Sequence, residues 1–278
     1  MQDVKSLNPR PFNIMDLMKE AWALTKGAKW KIWGSILSLA IIGAIILLIP
    51  TAVNWLFHSP TLPNPHAPAS GSTQSSLWRF IATLIYILGF LILLPGSVAA
   101  LGKIAIERTR GHAVSIKMAL GAAWRRCLPT LFTLIFVYIT VAIPLIILLI
   151  ISAIIMGGSF DPQHFNGGIF FALFVLYMAI IAPYLVMSVF FAIDKTANPF
   201  AAIYYSIKSA EGHFFKILGT LILIELMLLL MQVPLQLGTF LKIPALEIAG
   251  GIFYFIVAIW FVPFQLFTYG NLYNKLSN

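Results

Sequence analysis

Six stretches of about twenty apolar residues dominate this sequence, each long enough to cross a ~30 Å hydrocarbon core as a helix rising 1.5 Å per residue. They cover approximately residues 33–55, 80–105, 131–156, 169–193, 217–237 and 248–269. Lipid offers no partner to an open backbone N–H or C=O, so a spanning segment must be helical or belong to a closed barrel. Segments this long, without the ten-residue alternation of a barrel strand, read as helices. Composition agrees: 60% of the 278 residues are hydrophobic and 10% charged, against roughly a quarter charged in a soluble domain. The first span follows an arm holding Lys5, Arg10, Lys19, Lys26, Lys29 and Lys31. That arm is too long for the start of a cleaved signal peptide, so the span is expected to be retained.

Lys and Arg resist translocation and accumulate on the cytoplasmic side of short loops. Besides that arm, they cluster in the second connection (Lys103, Arg108, Arg110, Lys117, Arg125, Arg126), in the fourth (Lys195, Lys208, Lys216) and at Lys275; the other side keeps Arg79 and Lys242. With six spans this predicts a bacterial-type inner-membrane protein with both termini in the cytoplasm. The formal net charge of +9 is then a topology signal, and nucleic-acid binding is not needed to explain it. A basic inner face attracts anionic headgroups, at about 1 kcal/mol per well-placed cation. Lys29, Lys31, Arg125, Arg126 and Lys216 are the candidate lipid contacts. The single cysteine, Cys127, excludes a disulfide within the chain and is expected to pack as a small apolar residue.

The chain also matches itself. Asn13, Gly27, Lys31, Ile32 and Gly34 align without a gap on Asn198, Gly212, Lys216, Ile217 and Gly219, and Ile116, Ala123 and Trp124 fall on Ile14, Ala21 and Trp22. The predicted fold is therefore an all-α membrane bundle of six transmembrane helices in three helical-hairpin repeats, at about 11–106, 114–193 and 198–275. Each hairpin is preceded by an amphipathic interfacial helix, and the three units are related by approximate threefold pseudosymmetry. Asn13, Ser115 and Asn198 suit N-caps, with Pro199 at a first helical position. In the first short helix Ile14, Met15, Leu17, Met18 and Trp22 are expected on one face. The even spans carry Pro95, Pro183 and Pro263, which predict three related kinks. They end alike, in Glu107-Arg108, Asp194-Lys195 and Asn274-Lys275, whose charges read as helix-end ion pairs. Residues 58–76, with four prolines among Ser, Gly and Thr, read as a flexible periplasmic loop.

No metal-ligand cluster, nucleophile–base pair or phosphate-cradling loop stands out, so neither a catalytic residue nor a cofactor is expected. Asp161 and His164 form only a weak Asp-x-x-His pair in an outer loop. One residue breaks the apolar pattern: Glu225, about 13 Å into the fifth span, where an intramembrane carboxylate is a functional candidate by default. Gln232 and Gln236 follow on nearly the same face, and Gln265 on the last span completes the candidate polar site. The repeat places Ala40 and Ala142 at the positions equivalent to Glu225. Glu225 is expected to face the bundle, either bonding a neighbouring helix or carrying a proton or cation.

Ala182-Pro183-Tyr184, Asp194-Lys195 and Asn198-Pro199-Phe200-Ala201-Ala202, with Ser206 and Gly212, resemble the YciC-like family of uncharacterised bacterial inner-membrane proteins. That family is similar in turn to the membrane domain of some glycerophosphoryl diester phosphodiesterases. The resemblance is clearest over residues 182–219. It implies a six-helix membrane module with no catalytic residues to carry over; in those phosphodiesterases the catalytic domain is a separate soluble unit, for which this chain has no room. Mitochondrial-type carriers also have three repeats and six spans, but their odd spans carry an acid and a base after the proline. Pro50, Pro144 and Pro234 lack them here. The expected function is a module that binds lipid or another membrane protein. The alternative is a small permease built around Glu225.

Overall fold

The structure, a computed structural model, describes residues 11–57, 72–155 and 167–277. Among the described residues eight helices follow one another: α1 (Ile14–Phe57), α2 (Ser72–Thr109), α3 (Ile116–Ile155), α4 (Gly167–Leu185), α5 (Ser188–Asp194), α6 (Pro199–Ala210), α7 (Phe214–Leu241) and α8 (Pro244–Ser277). Among the described residues there is no strand. Six segments of the described residues are long and apolar enough to cross a membrane, α4 and α5 together supplying the fourth. The chain is an all-α polytopic membrane protein. Large apolar side chains such as Leu48, Phe90, Ile147, Phe171, Leu230 and Phe255 are exposed along these spans, as lipid-facing positions require.

The three N-caps are present. Asn13 Oδ1 accepts from the Met15 N–H at 3.1 Å, Ser115 Oγ from Met118 at 3.2 Å, and Asn198 Oδ1 from Phe200 at 3.0 Å. A separate short helix, however, exists only after the third cap, as α6. After Asn13 and Ser115 the helix runs unbroken into the span. The aligned glycines differ in the same way: Gly212 has a positive φ of 79° and ends α6, whereas Gly27 lies inside α1. Glycine has no Cβ and accepts either conformation. The buried face of the first helical turns is also narrower than expected: Leu17, Met18 and Ala21 are buried, while Met15 and Trp22 are exposed. Residues 58–71 and the Asp161–His164 pair lie outside the described residues. Residues 72–76, expected in the flexible loop, begin α2.

Packing runs as a cycle. α1 lies against α8, α3 against α2, and α6 and α7 against α4, while α2 also packs on both α5 and α8. Ile14, the first residue of α1, packs on Gly219; Ile116, the first of α3, packs on Gly34. Phe200, at the start of α6, meets Phe136 with ring centroids 4.4 Å apart. The proline-bearing helices are tied by a second cycle of side chains. Pro263 has no N–H, which leaves the Ile259 carbonyl without its usual intrahelical donor; the indole N–H of Trp33 on α1 donates to it at 3.0 Å. Cys127 on α3 is buried and its thiol donates to the Ile92 carbonyl, three residues before Pro95, at 3.3 Å. Past Pro183 the helix breaks at 186–187, and the Ser206 hydroxyl of α6 donates to the Tyr184 carbonyl at 2.6 Å. Of the three expected kinks, this one interrupts the helix outright.

Candidate functional site

Two polar regions stand out, one at the basic end of the bundle and one in the middle of the apolar span of α7. At the basic end, the final turns of α2, α5 and α8 converge on Asp194, whose side chain is 10% exposed. The guanidinium of Arg110 grips this carboxylate with two hydrogen bonds, at 3.1 and 2.5 Å, and the Tyr273 hydroxyl donates to it at 2.9 Å. Lys103 Nζ lies 3.6 Å from Asp194 and 2.7 Å from Glu107, which His112 also meets at 2.5 Å. Arg110 Nε donates to Asn274 at 3.3 Å, and Asn274 donates onward to Thr109. Lys195 turns away and donates to the Ser277 carbonyl at 2.5 Å. Tyr273, fully buried, stacks on Phe190 and meets Phe191 edge-on.

A two-pronged Arg–carboxylate pair with an added phenol donor fixes orientation as well as charge. The hydrogen bond from Arg110 to Asp194 is the main cause holding that guanidinium above its ordinary pKa, while burial pushes the Lys195 ammonium down, partly offset by Asp194. The expected pairing of neighbours, Glu107 with Arg108 and Asp194 with Lys195, is not what forms. Successive helical residues diverge by about 100°, so a carboxylate finds partners one turn away or on another helix. Arg110 and Tyr273 are the residues that sequence reasoning missed. The cue for Arg110 was its place just past the end of α2, level with the ends of the other even spans.

The mid-span group is looser. Glu225 is exposed rather than turned into the bundle. On α7 it falls at the edge of the face that carries exposed Ile222, Leu226 and Leu229, whereas Ile224 and Met231 occupy the packed face; the 100° step between residues leaves it outward. Tyr269 of α8 lies within electrostatic reach of it, and the Tyr269 hydroxyl accepts from Gln265 Nε2 at 3.5 Å. Gln232 and Gln265 are half-buried and Gln236 is exposed. α7 and α8 therefore bring Glu225, Gln265 and Tyr269 into one neighbourhood, with Gln232 and Gln236 farther along α7.

The candidate lipid contacts divide. Lys31 and Arg125 are exposed; Lys29, Arg126 and Lys216 are half-buried. Lys29 Nζ lies 3.1 Å from the Trp260 ring centroid, and Trp260 stacks on Trp22. Lys216 Nζ lies 5.4 Å from the ring of Phe12, which stacks on His213. Three large aromatics stand exposed beside basic residues: Trp30 (69%) between Lys29 and Lys31, Trp124 (82%) before Arg125, and Phe215 (82%) before Lys216. Among the described residues no group of three or more His, Cys, Asp or Glu could hold a metal ion. No protein-family model, curated protein or solved structure matches the chain.

Proposed function

We propose that this protein is a non-catalytic bacterial inner-membrane module of three pseudo-symmetric hairpins, whose basic end faces the cytoplasm and binds anionic lipid. The observation that carries the reading is the exposure of Trp30, Trp124 and Phe215, each next to a cation. An amphipathic ring at headgroup depth with a cation beside it is the arrangement that anionic membrane surfaces select. The cyclic contacts of Ile14 with Gly219, Ile116 with Gly34 and Phe200 with Phe136 support the three-unit reading, because these residues stand at or next to matched positions of the three units. Membership of the YciC-like family, proposed from residues 182–219, is in keeping with such a module. The test is the anionic phospholipid carried per protein through gentle purification. Joint replacement of Lys29, Lys31, Arg125, Arg126 and Lys216 by Gln lowers it; unchanged lipid content refutes the reading.

A second reading, a small permease, draws on the proximity of Glu225, Gln265 and Tyr269, since transporter sites use polar groups near the membrane centre. Proton-coupled uptake into proteoliposomes that is lost equally in Glu225→Gln and Glu225→Ala supports it. Absence of any flux counts against it.

A further inference from the structure

Helices α1 and α2 form an antiparallel hairpin with a steady register. The position a Cβ would take on Gly27 is 2.8 Å from Arg108 Nη2, that on Gly43 is 3.1 Å from Leu93, and that on Gly89 is 3.1 Å from Ile46. Beside this seam lies an open groove of about 620 Å³, lined by Ile36, Ala40 and Gly43 of α1 and Phe90, Leu94 and Leu101 of α2. Among the described residues its one polar lining residue, Ser97, spends its hydroxyl on the Leu93 carbonyl. From Phe90 to Leu101 the groove follows about 16 Å of helix, the depth of one leaflet of a ~30 Å hydrocarbon core. The volume falls in the ~300–1,000 Å³ range of ligand sites.

Two turns beyond Leu101, on the same face of α2, stands Arg108. Helical side chains lean toward the helix N-terminus, so its guanidinium reaches back over the turn that leads to the groove. The Nε atom is buried without a hydrogen-bond partner. Among the described residues the guanidinium makes no ion pair, although Arg110 and Lys103 close by are both taken up by carboxylates. The Arg108 guanidinium lies against Gly27, where a Cβ would stand 2.8 Å from Nη2 and make the flexible guanidinium shift. A buried guanidinium edge with spare donors calls for an anion, and its fork geometry matches phosphate. The surface below it accepts only hydrocarbon.

We infer that the α1/α2 seam is a specific site for one anionic diacyl phospholipid, its phosphate on Arg108 and an acyl chain in the groove. This rests on the lipid-binding reading above but assigns it a defined, stoichiometric place apart from the exposed cations. The test is native mass spectrometry of the purified full chain, titrated with phosphatidylglycerol and with phosphatidylcholine of the same acyl chains. The wild type retains one phosphatidylglycerol, about tenfold more firmly than phosphatidylcholine. Arg108→Gln abolishes that preference and Arg108→Lys keeps part of it, while Ala40→Trp weakens retention of both lipids; melting temperatures identify any variant that is merely misfolded. Gly27→Ala, which displaces the guanidinium without removing its charge, also lowers the preference. Equal retention by wild type and Arg108→Gln overturns the site, as does displacement of the lipid by millimolar inorganic phosphate, which would mark an anion site without a chain groove. If the broader reading fails, the five-fold Gln variant keeps its total lipid. If only this site fails, that variant loses lipid while Arg108→Gln changes nothing.

Discussion

Asp194 and Glu225 are both acids on apolar helices, yet their surroundings are opposite. Asp194 ends α5 with a nearly buried carboxylate that takes hydrogen bonds from Arg110 and Tyr273, with Lys103 within ion-pair distance. Glu225 sits mid-span on α7, exposed, with Gln265 and Tyr269 of α8 in its neighbourhood. Isolated charge in low dielectric is costly, and the first arrangement meets that cost with a complete set of partners supplied by three helices. The second leaves the acid exposed at an outer edge of α7. One carboxylate is therefore part of what holds the bundle, and the other is dispensable to it.

The sharpest way to break this contrast is Asp194→Asn. Removing one member of a buried ion pair costs about 3–5 kcal/mol; with Arg110 partly exposed, ~2–3 kcal/mol is expected, read as a clear fall in melting temperature in detergent. A wild-type melting curve would mean that the basic-end cluster does not hold α2, α5 and α8 together. Next in size is Trp33→Phe, which strands the Ile259 carbonyl and should cost ~1–2 kcal/mol in the same assay. Trp22→Phe, whose ring stacks on Trp260 without such a bond, serves as the comparison and should cost less. Smallest is Glu225→Gln, expected to shift stability by less than ~0.5 kcal/mol, as a surface change away from any packed feature does. A loss rivalling that of Asp194→Asn would invert the comparison.

Much of this architecture was legible because it depends on local chemistry. Spans of twenty apolar residues have few alternatives in lipid, and a capping Asn or Ser announces itself by residue type. The matched positions Ile14 and Ile116, together with Gly34 and Gly219, come from internal alignment and are the positions that touch. What the sequence did not reveal depends on the angular position of a residue around its helix once neighbouring helices are in place. Glu225 and Met15 are exposed where their sequence predicts packing, because a near-uniformly apolar helix gives little indication of which face packs. Arg110 was overlooked because its partner, Asp194, lies 84 residues away, and one chain read alone carries no signal for that distance. Continuous helices through Gly27 likewise could not be told from the break at Gly212, because glycine permits both.

The bond from Trp33 to the Ile259 carbonyl joins α1 to α8 across 226 positions of sequence. At a synthesis rate of about 5–20 residues per second, the ribosome delivers the acceptor roughly 10–45 s after the donor. Until α8 follows, α1 has the flank that packs on α8 uncovered and its Trp33 indole N–H without the Ile259 partner. The ring of helices therefore closes only once α8 has left the insertion machinery, and a chain truncated before α8 is left with an open flank for quality-control proteases to find.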